Sequence, residues 1–186
     1  MKRAVFLDRD GTINLEKGYL FRIEDFEFVP GAPEAIRLLN ESGFLVIVVT
    51  NQSGVARGFY GEEDVAALHR QIDVKLALCG ARVDAWFYCS HHPAGKGAYA
   101  VTCSCRKPLP GMLLEAADLF DIDLKNSVMI GDKRADVEAA IAAGCRPILV
   151  RSGYGAEEEP AIPAGITVHD DLLAAALFVM RLRDGI

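Results

Sequence analysis

Polar residues of several chemical types stand directly after predicted strands, where a fold would gather them. These residues are Asp8, Asp10, Thr50, Asn51, Gln52, Ser53 and Asp132. Lys107 lies between the third and fourth strands. Carboxylate oxygens such as those of Asp8 and Asp132 suit Mg²⁺, and donors with positive charge neutralise a phosphoryl group in transit. The set therefore predicts phosphoryl transfer, which depends mainly on positioning and charge neutralisation.

The two aspartates of the Asp8-Arg9-Asp10 triplet can flank one phosphate. One carboxylate can attack phosphorus to form an aspartyl-phosphate. The other can protonate the leaving oxygen and then accept a proton from water. Alone, an Asp-x-Asp triplet is usually a solvated turn, and a Thr-Asn pair after a strand is usually a turn or a helix cap. Their order along the chain, each after a strand, favours the catalytic interpretation.

The stretch from Tyr88 to Pro108 is rich in soft metal ligands. Two pairs stand out: Cys89 with His91, and Cys103 with Cys105. Four nitrogen and sulfur ligands predict a structural zinc site. A disulfide is the weaker alternative, since Cys103 and Cys105 are too close in sequence to pair easily. His92 competes with His91 as the fourth ligand. The Cys-x-His spacing favours His91, because it lets the Cys89 and His91 side chains face one side of an extended segment. Zinc would then hold Arg106 and Lys107 over a phosphate.

Apolar, β-branched runs alternate with amphipathic segments along the chain. The predicted strands are 4–7, 45–50, 85–89, 128–130 and 148–150, and the predicted helices are 33–42, 62–79, 110–120, 134–143 and 171–183. This alternation predicts an α/β fold with a Rossmann-like parallel sheet covered by helices on both faces. Chemistry in such folds gathers at the carboxyl ends of the strands. Residues 155–165 are predicted to be a mobile surface loop, and Cys79 and Cys145 ordinary buried thiols.

Composition limits the classes of protein and partner. The chain has 186 residues, is 51% hydrophobic and carries a formal charge of −6, which suits a single domain over residues 1–186. No cluster of Lys and Arg points to nucleic acid. The longest apolar run, 44–49, is far too short for a membrane span, and the N-terminal run is too short for a signal peptide. We expect a cytoplasmic monomer with a small-molecule substrate.

Four segments carry a resemblance to a known superfamily: FLDRDGT, VVTNQSG, the lysine of CRKP and MIGDKRAD. They are similar to the four motifs of the haloacid dehalogenase-like (HAD) phosphatases. The resemblance implies a Rossmann-like core, Mg²⁺ dependence and an aspartyl-phosphate intermediate. It implies that Asp8 is the nucleophile, Asp10 the general acid/base, and Thr50 and Lys107 the groups that stabilise the phosphoryl group. It further implies Mg²⁺ ligation by Asp8, the Asp10 carbonyl and Asp132, with Asp136 as a supporting acid.

A narrower resemblance covers nearly the whole chain, through DRDGTIN, GYL, FEFVPG, VVTNQSGVARG, CSHHPAG, CSCRKPLPGML and MIGDK. These segments resemble the D-glycero-D-manno-heptose-1,7-bisphosphate 7-phosphatase family of nucleotide-heptose (and hence lipopolysaccharide) biosynthesis. The resemblance implies removal of the C7 phosphate to leave heptose 1-phosphate, by an enzyme without a large cap domain. It implies the following substrate contacts: Glu16, Lys17, Gly18, Tyr19, Asn51, Gln52, Ser53 and Arg106.

Two alternatives remain at this point. Histidinol-phosphate phosphatases share the zinc loop and the core motifs, although residues 51–58, NQSGVARG, favour the heptose family. A non-catalytic, zinc-stabilised binding module of the same fold is the other alternative, and the intact Asp8/Asp10 pair argues against it. Phe21 and Ser90 depart from the family, which often has histidine and proline there. The anomer preferred and the ADP- or GDP-heptose branch stay open.

Overall fold

A computed structural model describes residues 1–184 and contains a six-stranded, fully parallel sheet. The strands are β1 (Ala4–Leu7), β2 (Leu45–Asn51), β3 (Ala85–Cys89), β4 (Val128–Gly131), β5 (Arg146–Val150) and β6 (Thr167–His169). Their spatial order is β3-β2-β1-β4-β5-β6. The chain moves outward from β1 through β2 to β3 and then returns to place β4 on the other side of β1. This reversal opens a crevice at the carboxyl ends of β1, β2 and β4, where ligands of such sheets bind.

Helices cover both faces of the sheet, as the sequence predicts. They are α1 (Ala32–Glu41), α2 (Ser53–Arg57), α3 (Glu62–Leu78), α4 (Gly111–Phe120), α5 (Arg134–Ala143), α6 (Gly155–Glu158) and α7 (Leu172–Asp184). Short 3-10 segments lie at Ile23–Asp25, Gly97–Tyr99, Leu124–Asn126 and Glu159–Ala161. Within residues 1–184, no helix combines the length and apolar character that crossing a membrane requires.

Alternate residues of β1 enter two separate cores because successive strand side chains point to opposite faces. Val5 and Leu7 pack with buried residues of α1, α3 and α7. Ala4 and Phe6 pack instead with buried residues of α4 and α5. β1 is therefore buried on both sides, which explains its uninterrupted apolar sequence and holds its carboxyl end rigidly beneath the crevice.

The predicted α/β architecture is confirmed, and the differences lie near the end of the chain and in short elements. The pattern did not predict α2 or the three-residue edge strand β6. Residues 155–165, predicted as a loop, begin with α6 and a 3-10 turn. Cys145 is buried as predicted, but the prediction for Cys79 was wrong: it is exposed, because it caps the C-terminus of α3 on the solvent side.

Candidate active site and metal centres

Three buried carboxylates meet where β1 and β4 end. Ligand oxygens of Asp8, Asp132 and Asp136 all lie within 4.8 Å of one another. Asp8 and Asp132 follow paired parallel strands, in which Leu7 lies opposite Ile130. Asp136 is in the first turn of α5 and accepts a hydrogen bond from the Lys133 N–H at 3.0 Å. The register of the sheet therefore brings together the two aspartates that the sequence proposes for Mg²⁺, with Asp136 beside them.

The carboxylate cluster is electrostatically unfavourable without a cation. Burial, followed by the charges of Asp8 and Asp136, raises the pKa of Asp132 to about 8. Burial also raises the pKa of Asp136 to about 6, against the opposing effect of Lys107. Asp132 Oδ1 is buried and has no hydrogen-bond partner among the described residues. A buried, unpartnered carboxylate oxygen among hard oxygen donors fits Mg²⁺, which would restore the charged form.

Backbone encloses the Asp132 carboxylate closely. Gly11 and Gly153 have φ angles of +86° and +60°, and a Cβ at either position would collide with the Asp132 side chain. The Tyr154 N–H donates to Asp132 Oδ2 at 2.9 Å. Glycine supplies both the left-handed conformation and the space here. The orientation of Asp132 is therefore fixed by main chain rather than by mobile side chains.

Lys107 is buried against this cluster and uses all three of its N–H donors. Its Nζ lies 2.9 Å from Asp8 Oδ1, 2.6 Å from Asp136 Oδ1 and 2.7 Å from the Val49 carbonyl oxygen. Burial opposes the charged form, but the charges of Asp136 and Asp8 outweigh it and raise the pKa of Lys107. The lysine is thus a fixed cation next to the proposed nucleophile.

Asn51 fixes the main chain of Lys107. The Asn51 Nδ2 donates to the Lys107 carbonyl oxygen at 3.0 Å, and the Lys107 N–H donates to Asn51 Oδ1 at 3.1 Å. This two-sided amide clamp joins the end of β2 to the loop that carries the lysine. Asn51, which the family resemblance assigns to the substrate, therefore also positions a proposed catalytic group.

The Asp10 carboxyl is held by amide and guanidinium donors. The Gln52 Nε2 donates to Asp10 Oδ2 and to Thr50 Oγ1, at 3.0 Å in each case. The Tyr60 hydroxyl donates to Gln52 Oε1 at 2.9 Å and so fixes the amide. Burial raises the pKa of Tyr60 to about 12, which keeps the hydroxyl protonated as a donor. Gln52 thus aligns Asp10 and Thr50 with each other.

Two adjoining cavities lead away from the carboxylates. The inner one, about 50 Å³, has walls that include Asp8, Thr50 and Lys107. The outer one, about 260 Å³, contains six of the eight predicted substrate contacts: Glu16, Gly18, Tyr19, Asn51, Gln52 and Ser53. Asp10, Asn51 and Lys133 line both. One ligand could therefore place a phosphate in the inner cavity and a polar organic group in the outer one.

The other two predicted substrate contacts do not line either cavity. The Lys17 ammonium lies 3.3 Å from Glu27 on the surface. The Arg106 Nη1 donates to the His91 carbonyl oxygen at 3.3 Å, within the cysteine loop. Arg106 therefore supports the loop in this structure, and its predicted role towards the substrate stays a prediction.

Sequence reasoning gave Lys133 and Tyr154 no role, yet both line the outer cavity. Lys133 Nζ lies 3.0 Å from Glu16 Oε2 and 4.8 Å from the Tyr154 ring centroid. Burial opposes its charge, but Asp132 and Asp8 raise the pKa of Lys133. Its position directly after Asp132 was the available signal. Tyr154 lies beyond β5, where no local motif marks it.

The four predicted zinc ligands converge. The sulfurs of Cys89, Cys103 and Cys105 lie 3.1–3.5 Å apart, and His91 Nδ1 lies 3.5 Å from Cys105 Sγ. These separations exceed a disulfide bond of about 2.05 Å. They approach the spacing of about 3.8 Å that a tetrahedral site with Zn–S bonds of about 2.3 Å requires. Burial raises the pKa of Cys89, so a cation is needed to hold it as thiolate. The cluster therefore fits zinc.

The competing histidine has a different role. His92 Nδ1 accepts a hydrogen bond from the Ala94 N–H at 3.0 Å and so stabilises the turn of the loop. Ser90, one of the two departures from the family, is buried and donates to Glu62 Oε1 at 2.8 Å. Phe21, the other departure, stacks on Tyr60 with ring centroids 5.1 Å apart. Phe21 therefore lies against a residue that lines the outer cavity, whereas Ser90 contacts the first residue of α3.

Comparison with known proteins agrees with this geometry. Residues 104–175 match the family model described as HAD-hydrolase-like. The D-glycero-beta-D-manno-heptose-1,7-bisphosphate 7-phosphatase of Yersinia pestis is 48% identical over 152 residues, which is 81% of each chain. The protein of the same name from Vibrio cholerae is 44% identical over 184 residues, which is 98% of each chain.

A solved structure extends the agreement to three dimensions. The crystal structure of D,D-heptose 1,7-bisphosphate phosphatase from B. bronchiseptica, complexed with magnesium and phosphate, has a TM-score of 0.88 to this chain. The two are 36% identical, and the match covers 98% of this chain and 99% of the other. The chain belongs to the D-glycero-beta-D-manno-heptose-1,7-bisphosphate 7-phosphatase family of HAD-like hydrolases.

Proposed function

We propose that this chain is a Mg²⁺-dependent phosphatase that removes the C7 phosphate of D-glycero-D-manno-heptose 1,7-bisphosphate and leaves heptose 1-phosphate. One observation carries the proposal. The buried Asp8–Asp132–Lys107 cluster opens, past Asp10, into a polar cavity large enough for part of a sugar. The names of the relatives at 44–48% identity support the choice of substrate.

In the first step, an Asp8 carboxylate oxygen attacks phosphorus and the bond from phosphorus to the C7 oxygen breaks. Asp10 gives its proton to the departing alkoxide. The Lys107 ammonium and the Thr50 hydroxyl face the inner cavity and stabilise the phosphoryl oxygens. Mg²⁺, which Asp8, Asp132 and the Asp10 carbonyl would hold, supplies further neutralisation of the phosphoryl charge when bound.

In the second step, water attacks the phosphorus of the aspartyl-phosphate. Asp10, now a carboxylate, accepts the proton of that water, and the bond from phosphorus to Asp8 breaks to release inorganic phosphate. The cycle returns both aspartates to their starting states. Because the same group gives and then takes a proton, its exact placement matters in both steps.

The surroundings of the site suit a small extended substrate. Glu16, Ser53 and Tyr154 line the outer cavity and offer partners for sugar hydroxyl groups. Zinc, held by Cys89, His91, Cys103 and Cys105, has a structural role and orders the loop that carries Lys107. We further propose a single phosphatase domain that acts as a monomer in the cytoplasm.

The test measures phosphate release from the β- and α-anomers of heptose 1,7-bisphosphate and from histidinol phosphate, with and without Mg²⁺. We expect the fastest turnover with the β-anomer, which the relatives' names specify, and loss of activity in Asp8→Asn. Faster turnover of histidinol phosphate than of either anomer would favour the alternative phosphatase. No release from any of the three would favour a binding module.

A further inference from the structure

A chain of buried and partly buried side chains runs from β3 and α3 to the proposed general acid/base. It consists of Trp86, His69, Arg9 and Asp10, in that spatial order. We propose that His69 is a positioning residue, which holds the Asp10 carboxyl in place for proton transfer by anchoring the Arg9 guanidinium. This inference rests on the proposed function, since it assigns a support to the group that protonates the leaving oxygen.

Arg9 is fully buried and its guanidinium bridges Asp10 and His69. The Arg9 Nη2 donates to both Asp10 carboxylate oxygens at 2.9 Å and to the Leu20 carbonyl oxygen at 3.0 Å, and its Nε donates to Asp10 Oδ1 at 3.2 Å. Its Nη1 lies 3.3 Å from His69 Nε2. Since a guanidinium can only donate, His69 Nε2 is the acceptor and the ring proton is on Nδ1.

The His69 ring is itself rigidly held. It stacks on Trp86 with ring centroids 4.1 Å apart and an interplanar angle of 18°. The Trp86 Nε1 donates to Asp73 Oδ1 at 3.0 Å, and Asp73 lies one turn beyond His69 on the same face of α3. Burial and the Arg9 charge lower the pKa of His69 to about 3, so the ring stays neutral and can accept.

The same guanidinium makes three of the five hydrogen bonds that fix the Asp10 carboxyl. Gln52 and Asn14 supply the other two, to Oδ2 and Oδ1 respectively. The Arg9 guanidinium is planar and its donors form a fixed fork. A rotation that turned Nη1 towards a new acceptor would therefore move Nη2 and Nε away from Asp10. If His69 lost its acceptor, Arg9 Nη1 would be left unpaired in a buried site. The guanidinium would then turn towards another acceptor and release Asp10.

The experiment compares two variants on two leaving groups. His69→Phe keeps an aromatic ring to stack on Trp86 but removes the acceptor, whereas His69→Gln restores an acceptor oxygen. The substrates are heptose 1,7-bisphosphate, whose alkoxide leaving group needs a proton, and p-nitrophenyl phosphate, whose phenolate leaves without one. The measured quantity is kcat/KM, because it reports the step in which the leaving group departs.

For His69→Phe, we expect kcat/KM on the heptose substrate to fall about 10-fold or more, since general acid catalysis contributes about 10²–10⁴-fold. On p-nitrophenyl phosphate it should change by less than about twofold, and His69→Gln should recover most of the loss. A merely structural role would lower kcat/KM equally on both substrates, since the substitution would then only reduce the folded fraction. His169→Phe, at the remote β6 edge, is the matched control. It should leave the ratio of kcat/KM between the two substrates unchanged.

Each remaining outcome decides against the inference. Equal losses on both substrates, or no loss on either, would overturn the positioning role while leaving the phosphatase function intact. Loss in His69→Gln as large as in His69→Phe would show that the acceptor is not what matters. If the wild-type protein with Mg²⁺ released phosphate from neither substrate, the proposed function would fail, and this inference with it.

Discussion

Replacing Lys107 by methionine tests whether the buried cluster depends on one fixed cation. The substitution keeps a long unbranched side chain and removes the ammonium that Asp8, Asp136 and the Val49 carbonyl share at 2.6–2.9 Å. Removing one partner of a buried ion pair costs about 3–5 kcal/mol, because the other charge is left uncompensated. Asp136 already has its pKa raised to about 6 and can take up a proton, which relieves part of the cost. We therefore expect a loss of about 3 kcal/mol in the free energy of unfolding.

The assay is urea unfolding in Mg²⁺-free buffer without a chelator, so that zinc stays bound. Lys17→Met is the matched control, because Lys17 also pairs with a carboxylate, at 3.3 Å, but on the surface. Such exposed pairs contribute about 0–1 kcal/mol. Added Mg²⁺ should recover part of the stability of Lys107→Met, since it binds the folded cluster. The reasoning would be refuted if Lys107→Met were as stable as Lys17→Met without Mg²⁺.

Three further perturbations address the zinc loop, the acid cluster and the main chain around it. Cys103→Ser with Cys105→Ser should lower zinc content, melting temperature and kcat together, because Lys107 follows Cys105 by two residues; full turnover in a zinc-free protein would contradict this. In Mg²⁺-free protein, the Asp132 pKa of about 8 lies above its unfolded value, so the folded state retains a proton that the unfolded chain releases. The free energy of unfolding should therefore fall as pH rises from about 4 to about 8, and Asp132→Asn should flatten this dependence in urea titrations; equal slopes would rule the assignment out. Gly153→Ala should weaken Mg²⁺ binding measured by calorimetry and destabilise the fold more than Gly165→Ala, which has a φ of +87° but open space around it. The control bears only the left-handed strain of about 1–2 kcal/mol, and equal effects would show that contact with Asp132 is unimportant.

The core of the site could be predicted because its residues are tied to strand ends. Asp8 and Asp132 each follow an apolar run, and parallel strands deliver the residues that follow them to one edge. The clustering of the four proposed zinc ligands was predictable for a different reason: two short-spaced pairs of soft ligands favour a metal site. Short-range sequence and one rule of topology suffice for the carboxylates, and short-range spacing of soft ligands suffices for the zinc cluster.

The roles of the amide side chains could not be predicted in this way. Asn51 clamps Lys107, which is 56 positions away, and Gln52 is oriented by Tyr60. An amide can donate or accept with many partners, so its role depends on which groups the tertiary fold brings near. The contact between Arg9 and His69 spans 60 positions and has no local signal. For β6, three half-buried residues give too short a pattern to distinguish a strand from a loop.

The placement of the proposed zinc site follows from how each proposed catalytic group is attached to the fold. Asp8, Thr50 and Asp132 lie in or directly after strands of the sheet, and the core holds these strands rigidly. Lys107 differs, because it lies on the long connection between β3 and α4, residues 90–110, where a 3-10 turn is the one regular element described. A connection of this length rarely buries enough apolar surface to order itself. Cys89 ends β3, and the other three proposed zinc ligands lie within this connection, the last of them two residues before Lys107. A bound metal would therefore order the segment that carries the lysine.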